Sequence, residues 1–149
     1  MKSYKELFLK NLNSLRKDID SYSNEKDLWS LKGDTKNTPA NLCLHICGNL
    51  KHNFGKILGG GDYIRNRDAE FSKKDLPKAE LLKEIDETIE IVSPVLNNLK
   101  EEDINRIFPD SSHGEGETIG GALTRLSWHF GYHAGQINYQ RRLLTDKNN

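Results

Sequence analysis

A chain of 149 residues is long enough for one domain with a real core and short for two. Twenty-two Lys and Arg balance twenty-two Asp and Glu, so no basic excess argues for nucleic acid or a membrane surface as partner. At 35% hydrophobic and 30% charged residues, the composition is polar without being that of a disordered chain.

The pattern predicts four helices in a single domain over 1–149 and no strands, an all-α bundle. The first runs from about Ser3 to Tyr22, with Leu7, Phe8, Leu12, Leu15 and Ile19 on one stripe. Its opening "MKSYKELFLKNLNSL" has no uninterrupted apolar stretch and does not read as a signal peptide. The second helix follows "NTPA", where Thr38 suits the N-cap and Pro39 the first helical position. It carries Leu42, Ile46, Leu50 and Ile57 and stops at the glycines of 59–61. The third starts near "LPKAELL" with Leu82, Ile85, Ile89, Val92, Leu96 and Leu99, and Pro94 predicts a kink or break near Ser93. The fourth begins near Glu117 or Thr118, carries Ile119, Leu123, Leu126, Phe130 and Ile137, and fades into "TDKNN". No apolar run nears the roughly 18 residues that span a bilayer, so a cytoplasmic location is expected.

The connections "GGGDYIRNRDAEFSKKD" and "FPDSSHGEGE" are long for a bundle. In the first, Arg65 and Arg67 could grip an anion, and Asp62, Asp68 or Glu70 could orient a metal ligand or act as a base. The favoured reading there is a solvated loop laced with surface ion pairs. Trp29 is expected to pack against the bundle end, and Trp128, opposite the last helix's stripe, to mark a dimer contact. Cys43 and Cys47, four apart on a helix, read as small buried core residues rather than a disulfide or a zinc pair.

Five histidines carry more information. In "LSWHFGYHAGQI", His129 and His133 lie four apart, about 80° and 40° from the centre of the apolar stripe on a helical wheel. Their rings can converge on one point, the geometry of a metal chelate, although a helix edge with two hydrogen-bonded imidazoles explains an isolated pair as well. His45, in "LCLHICGNL", flanks the core of the second helix with Asn49 and His52, and supplies a third ligand if the two helices are neighbours. Three neutral imidazoles with one open position suit zinc, nickel or another divalent ion. His52, nearer the polar side, is the weaker alternative, and His113 reads as a solvated loop residue. Asn49 and Gln136 are candidates to orient the ligand rings.

"LHICGNL" combined with "HFGYHAGQI" resembles the DinB/YfiT-like superfamily of small metal-binding proteins, over nearly the whole chain. The most specific piece is HxxxHxGQI at His129, His133, Gly135, Gln136 and Ile137, with a lone histidine roughly eighty residues upstream. The resemblance implies a four-helix bundle with long crossover loops and a site for one divalent metal, nickel or zinc, on His45, His129 and His133. It also implies homodimers and, in some members, transfer of a small-molecule thiol to an electrophile during stress or detoxification. Metal-dependent hydrolysis, a non-catalytic metal-stabilised dimeric module and a metal-free interaction module are the other expectations. Residue 130 is Phe, so the HExxH pattern of a protease is absent, and any general base must come from elsewhere in the fold.

Overall fold

The computed structural model describes residues 1–145. Helix α1 spans Lys2–Asp20, α2 Pro39–Leu50, α3 Arg67–Ser72, α4 Lys78–Asn98 and α5 Ile119–Thr145. Short 3-10 turns at Glu25–Trp29 and Glu101–Asn105 shape the connections. The fold is all-helical, and among the described residues none forms a strand. A single antiparallel bridge, Ile107 to Thr118, closes the last long loop. No helix among the described residues is long and apolar enough to cross a membrane.

Each long helix buries the face its sequence marks. Phe8, Leu12, Leu15 and Ile19 of α1 are buried, as are Ile119, Leu123, Leu126, Phe130 and Ile137 of α5. On α4 the buried row is Leu81, Ile85, Thr88, Val92 and Leu96. The expected Leu82 and Ile89 lie only half-buried at its margin. Thr88 is tolerated in the row because its hydroxyl donates to the Glu84 carbonyl, 2.7 Å away. Helix α4 also runs unbroken through Pro94, where a kink or break was expected.

Helix α2 has no exposed side: every residue from Pro39 to Leu50 is buried, including the polar Asn41, His45 and Asn49. It touches α1, α3, α4, α5 and the 25–29 turn, which explains why its sequence is apolar nearly all round. The Thr38 hydroxyl accepts from Asn41 N at 3.2 Å and caps its start. From Lys51 to Leu58 the chain continues in wider π turns. There the buried Lys51 ammonium donates to Glu84 and Glu87 of α4 at 2.7 and 3.0 Å. Gly59 ends this segment: a Cβ at that position would lie 2.8 Å from the carbonyl oxygens of Phe54 and Gly55.

Three residues with an expected place in the packing are found there. Cys43 and Cys47 are free and fully buried, with the Cys43 thiol pushed up by its hydrogen bond to Cys47 and by burial. Trp29 packs on the core and donates its indole N–H to the Leu76 carbonyl at 3.1 Å.

Candidate metal centre

The contact between α2 and α5 brings His45 against the pair on α5. One ring nitrogen from each of His45, His129 and His133 lies within 4.8 Å of the other two. The ring centroids are 4.6 to 5.1 Å apart, and each pair meets edge to face. His45 is buried, whereas His129 and His133 are half-buried.

The proton positions of two rings follow from their partners. Glu70 Oε2 lies 2.8 Å from His45 Nδ1, and a carboxylate only accepts, so Nδ1–H is the donor and, in the neutral tautomer that binds a metal, Nε2 carries the lone pair. Gln136 Oε1 sits 2.7 Å from His133 Nδ1 and leaves Nε2 of that ring bare in the same way. The bare Nε2 of His45 stands 3.1 Å from Nε2 of His129. That distance is one at which a proton on His129 Nε2 would be donated to His45, and it is also close to the roughly 3.3 Å between two nitrogens bound to one tetrahedral ion at about 2.0–2.1 Å. A divalent ion therefore suits the donor set, and the second atoms of His45 and His133 are held by an oxygen, as in metal sites generally.

Glu70 departs from the expectation for its loop. Instead of a solvated ion pair it is buried on α3, a helix too short to stand out within the long connection. Asn66 caps α3 by accepting from Ala69 N at 2.9 Å, and Asn41 of α2 donates to the Glu70 carbonyl at 3.0 Å. Arg65 donates from Nε and Nη2 to the two carboxylate oxygens at 2.7 and 2.9 Å. Burial pushes the Glu70 carboxyl up, but the hydrogen bonds from His45 and Arg65 outweigh it and hold the group below the usual range. Gly48 makes the room: a Cβ there would fall 2.2 Å from Glu70 Oε1. Phe71 lays its ring against His45, with centroids 4.9 Å apart.

The other residues singled out by the sequence divide. Gln136 orients His133, as proposed for it. Asn49 lines a cavity wall and, among the described residues, makes no hydrogen bond to the three imidazoles. His52 lies outside the cluster, and its Nδ1 is buried without a partner. Asp62 and Asp68 are exposed and stand apart from the cluster. His113 is not merely solvated: with Arg65, Arg67 and Arg125 it lines a cavity of about 270 Å³ that reaches His45 and His129. A second cavity of about 560 Å³ opens at His133, between Tyr132, Tyr139, Gln140 and the 34–37 loop.

Burial lowers the His129 imidazole to about 4, with the neighbouring His133 and His45 adding to the effect. Burial lowers His133 as well. Both rings are thus neutral and able to ligate at neutral pH. The sign of the pH effect follows, since the unfolded chain takes up a proton near 6.5 while folded His129 resists until about 4. The metal-free protein should lose stability as pH falls across that window, and the Glu70 carboxylate should extend the loss to lower pH. Melting temperatures of the metal-free protein between pH 7 and 4 measure this. A flat or rising profile would contradict the assignment, and His129→Gln should flatten the slope.

The family model described as "Protein of unknown function (DUF1572)" matches residues 1–149. No curated protein matches the chain.

Proposed function

The chain belongs to the DUF1572 family, described as proteins of unknown function, and from that premise we propose that its three-histidine cluster is a divalent-metal centre of the DinB/YfiT type. The four long helices are read as that superfamily's bundle with long crossover loops. Nickel and zinc are the ions best matched to three imidazoles. One observation carries the proposal: ring nitrogens of three histidines converge within 4.8 Å of one another. Glu70 and Gln136 fix two of these rings, and each of two cavities is lined by part of the cluster.

Access separates the readings. A structural ion is enclosed by its ligands, whereas His129 and His133 are only partly buried and each lines a cavity through which a substrate could reach a bound ion. We therefore favour catalysis over a non-catalytic, metal-stabilised module. When bound, the ion would act as a Lewis acid that lowers the pKa of a coordinated thiol. Hydrolysis is less well supported, because Glu70, the carboxylate bonded to the cluster, is locked between His45 and Arg65 and cannot accept a proton from water. The reaction supported best is transfer of a small-molecule thiol to an electrophile, in the cytoplasm, in stress or detoxification chemistry. Two substrates need two subsites, and two cavities are lined by residues of the cluster. In the larger, Gln140 Oε1 is buried without a partner and is available to an N–H of the second substrate.

The test is a rate comparison. Zinc- or nickel-loaded protein should conjugate low-molecular-weight thiols to an electrophile faster than the metal-free form. Equal rates across a thiol panel would instead support the non-catalytic module.

A homodimer belongs to the same reading. Trp128, Tyr132, Tyr139 and Leu143 share one face of α5 and are 69, 55, 62 and 48% exposed. Trp128 stacks on Tyr132 with centroids 5.7 Å apart. A second copy seated there would border both cavities, to which Trp128, Tyr132 and Tyr139 contribute walls. Sedimentation at micromolar concentration should give twice the 17.0 kDa chain mass, and Tyr139→Glu should give the monomer. A monomeric wild type would discard the dimer.

A further inference from the structure

The smaller cavity holds an unused charge. Arg65 comes from the loop leading into α3, Arg67 is the first residue of α3, Arg125 comes from α5, and all three line the same space as His45, His129 and Trp128. Among the described residues, no aspartate or glutamate lines it. The opposite cavity, by contrast, has one acid and one base, Asp34 and Lys36.

Two of these arginines are fixed from behind. Arg65 spends Nε and Nη2 on Glu70, and Arg125 spends the same two atoms on Glu117 at 2.9 and 2.8 Å. Each fork is thereby oriented while its Nη1 donors stay available, and neither carboxylate is in the cavity wall. Arg67 is exposed and has no hydrogen-bond or ion-pair partner among the described residues, so its whole guanidinium is open. Arginine presents a planar fork that matches carboxylate and phosphate oxygens two at a time. At about 270 Å³, the space lies just under the roughly 300–1,000 Å³ of common ligand pockets and suits a small molecule.

We infer that this cavity is an anion subsite, in which Arg67, Arg125 and Arg65 hold the carboxylate or phosphate of a small substrate while its reactive atom reaches the His45–His129 side of the metal centre. The inference rests on the proposed metal reading only for that second half; the grip on the anion belongs to the arginines alone. Trp128 supplies the apolar wall against which the carbon skeleton lies. If the thiol is the substrate that enters on this side, it is an acidic one rather than a neutral one.

Binding measurements separate these statements. Succinate and inorganic phosphate are titrated calorimetrically into metal-free and zinc-loaded protein, with Arg67→Gln and Lys36→Gln alongside. Because Arg67 is exposed and unpaired, its replacement should leave folding and zinc content unchanged. Arg67→Gln should weaken anion binding about tenfold, the loss of one charge-assisted hydrogen bond, whereas Lys36→Gln should bind as wild type. The tighter of the two anions identifies the chemical group. In zinc-loaded protein, mercaptosuccinate should bind more tightly than 2-mercaptoethanol, and Arg67→Gln should narrow that gap. Protein that holds zinc yet ignores both anions, or an Arg67→Gln variant that binds them undiminished, overturns the subsite. Protein that binds succinate through Arg67 but retains no zinc keeps the subsite and removes the metal reading.

Discussion

Replacing His129 with alanine should leave a folded protein that no longer retains a stoichiometric divalent ion. The ring is half-buried and makes none of the core contacts of Leu126 or Phe130, so its loss costs little packing. It does remove one of three nitrogens, and the remaining two cannot hold the ion against water and buffer. Loss of a partner that merely orients a ligand lowers metal affinity by about 10–100-fold, so loss of a ligand itself should exceed that range. His133→Ala should match it, because the two residues occupy equivalent places one turn apart. Elemental analysis after dialysis reads the outcome, with wild type expected near one metal per chain and the variants near zero. Circular dichroism confirms that the helices remain. Unchanged metal content in either variant would show that the imidazoles converge for some other reason.

Sequence periodicity made the long helices legible because each has one face to bury. The stripes of α1 and α5 matched position by position, with Leu7, 41% exposed, the one member of either stripe left outside. Helix α2 also emerged, although for a different physical reason: it is apolar nearly all round because it is central. The three histidines that cluster could be named because the last two share a helix. The third needed only the α2–α5 contact to join them. Glu70 could not be read that way. It lies 25 residues after His45, in a segment rich in charge, where a buried carboxylate and a solvated one have the same local pattern. Two local signals were nevertheless present. Asn66 followed by Asp68 and Glu70 is the start of a helix with acids in its first turn. Gly48 interrupts an otherwise apolar helix, a placement that costs about 1 kcal/mol against alanine and usually has a packing cause. That cause is the Glu70 carboxylate.

The second large effect concerns this carboxylate. Glu70→Ala removes the acceptor of His45 Nδ1–H and the partner of the Arg65 fork together. Truncating one member of a buried charged pair costs about 3–5 kcal/mol, and the low end applies here because the Arg65 side chain, 19% exposed, can turn toward water. His45 would be left free to change tautomer, which places a proton on Nε2 and removes the lone pair that faces His129. Metal affinity should therefore fall by about 10–100-fold even though all three imidazoles remain. Gly48→Ala tests the same linkage without deleting charge. Its methyl group would overlap Glu70 Oε1 and Cδ, at 2.2 and 2.8 Å, and a side chain pinned at both oxygens cannot swing aside without releasing His45 or Arg65. Competition with a chromophoric chelator reads the affinity, and thermal melts of the metal-free forms read the stability. Both variants should weaken the metal, and Glu70→Ala should also lower the melting temperature the more of the two. If Gly48→Ala binds metal as wild type does, then the carboxylate does not set the orientation of His45.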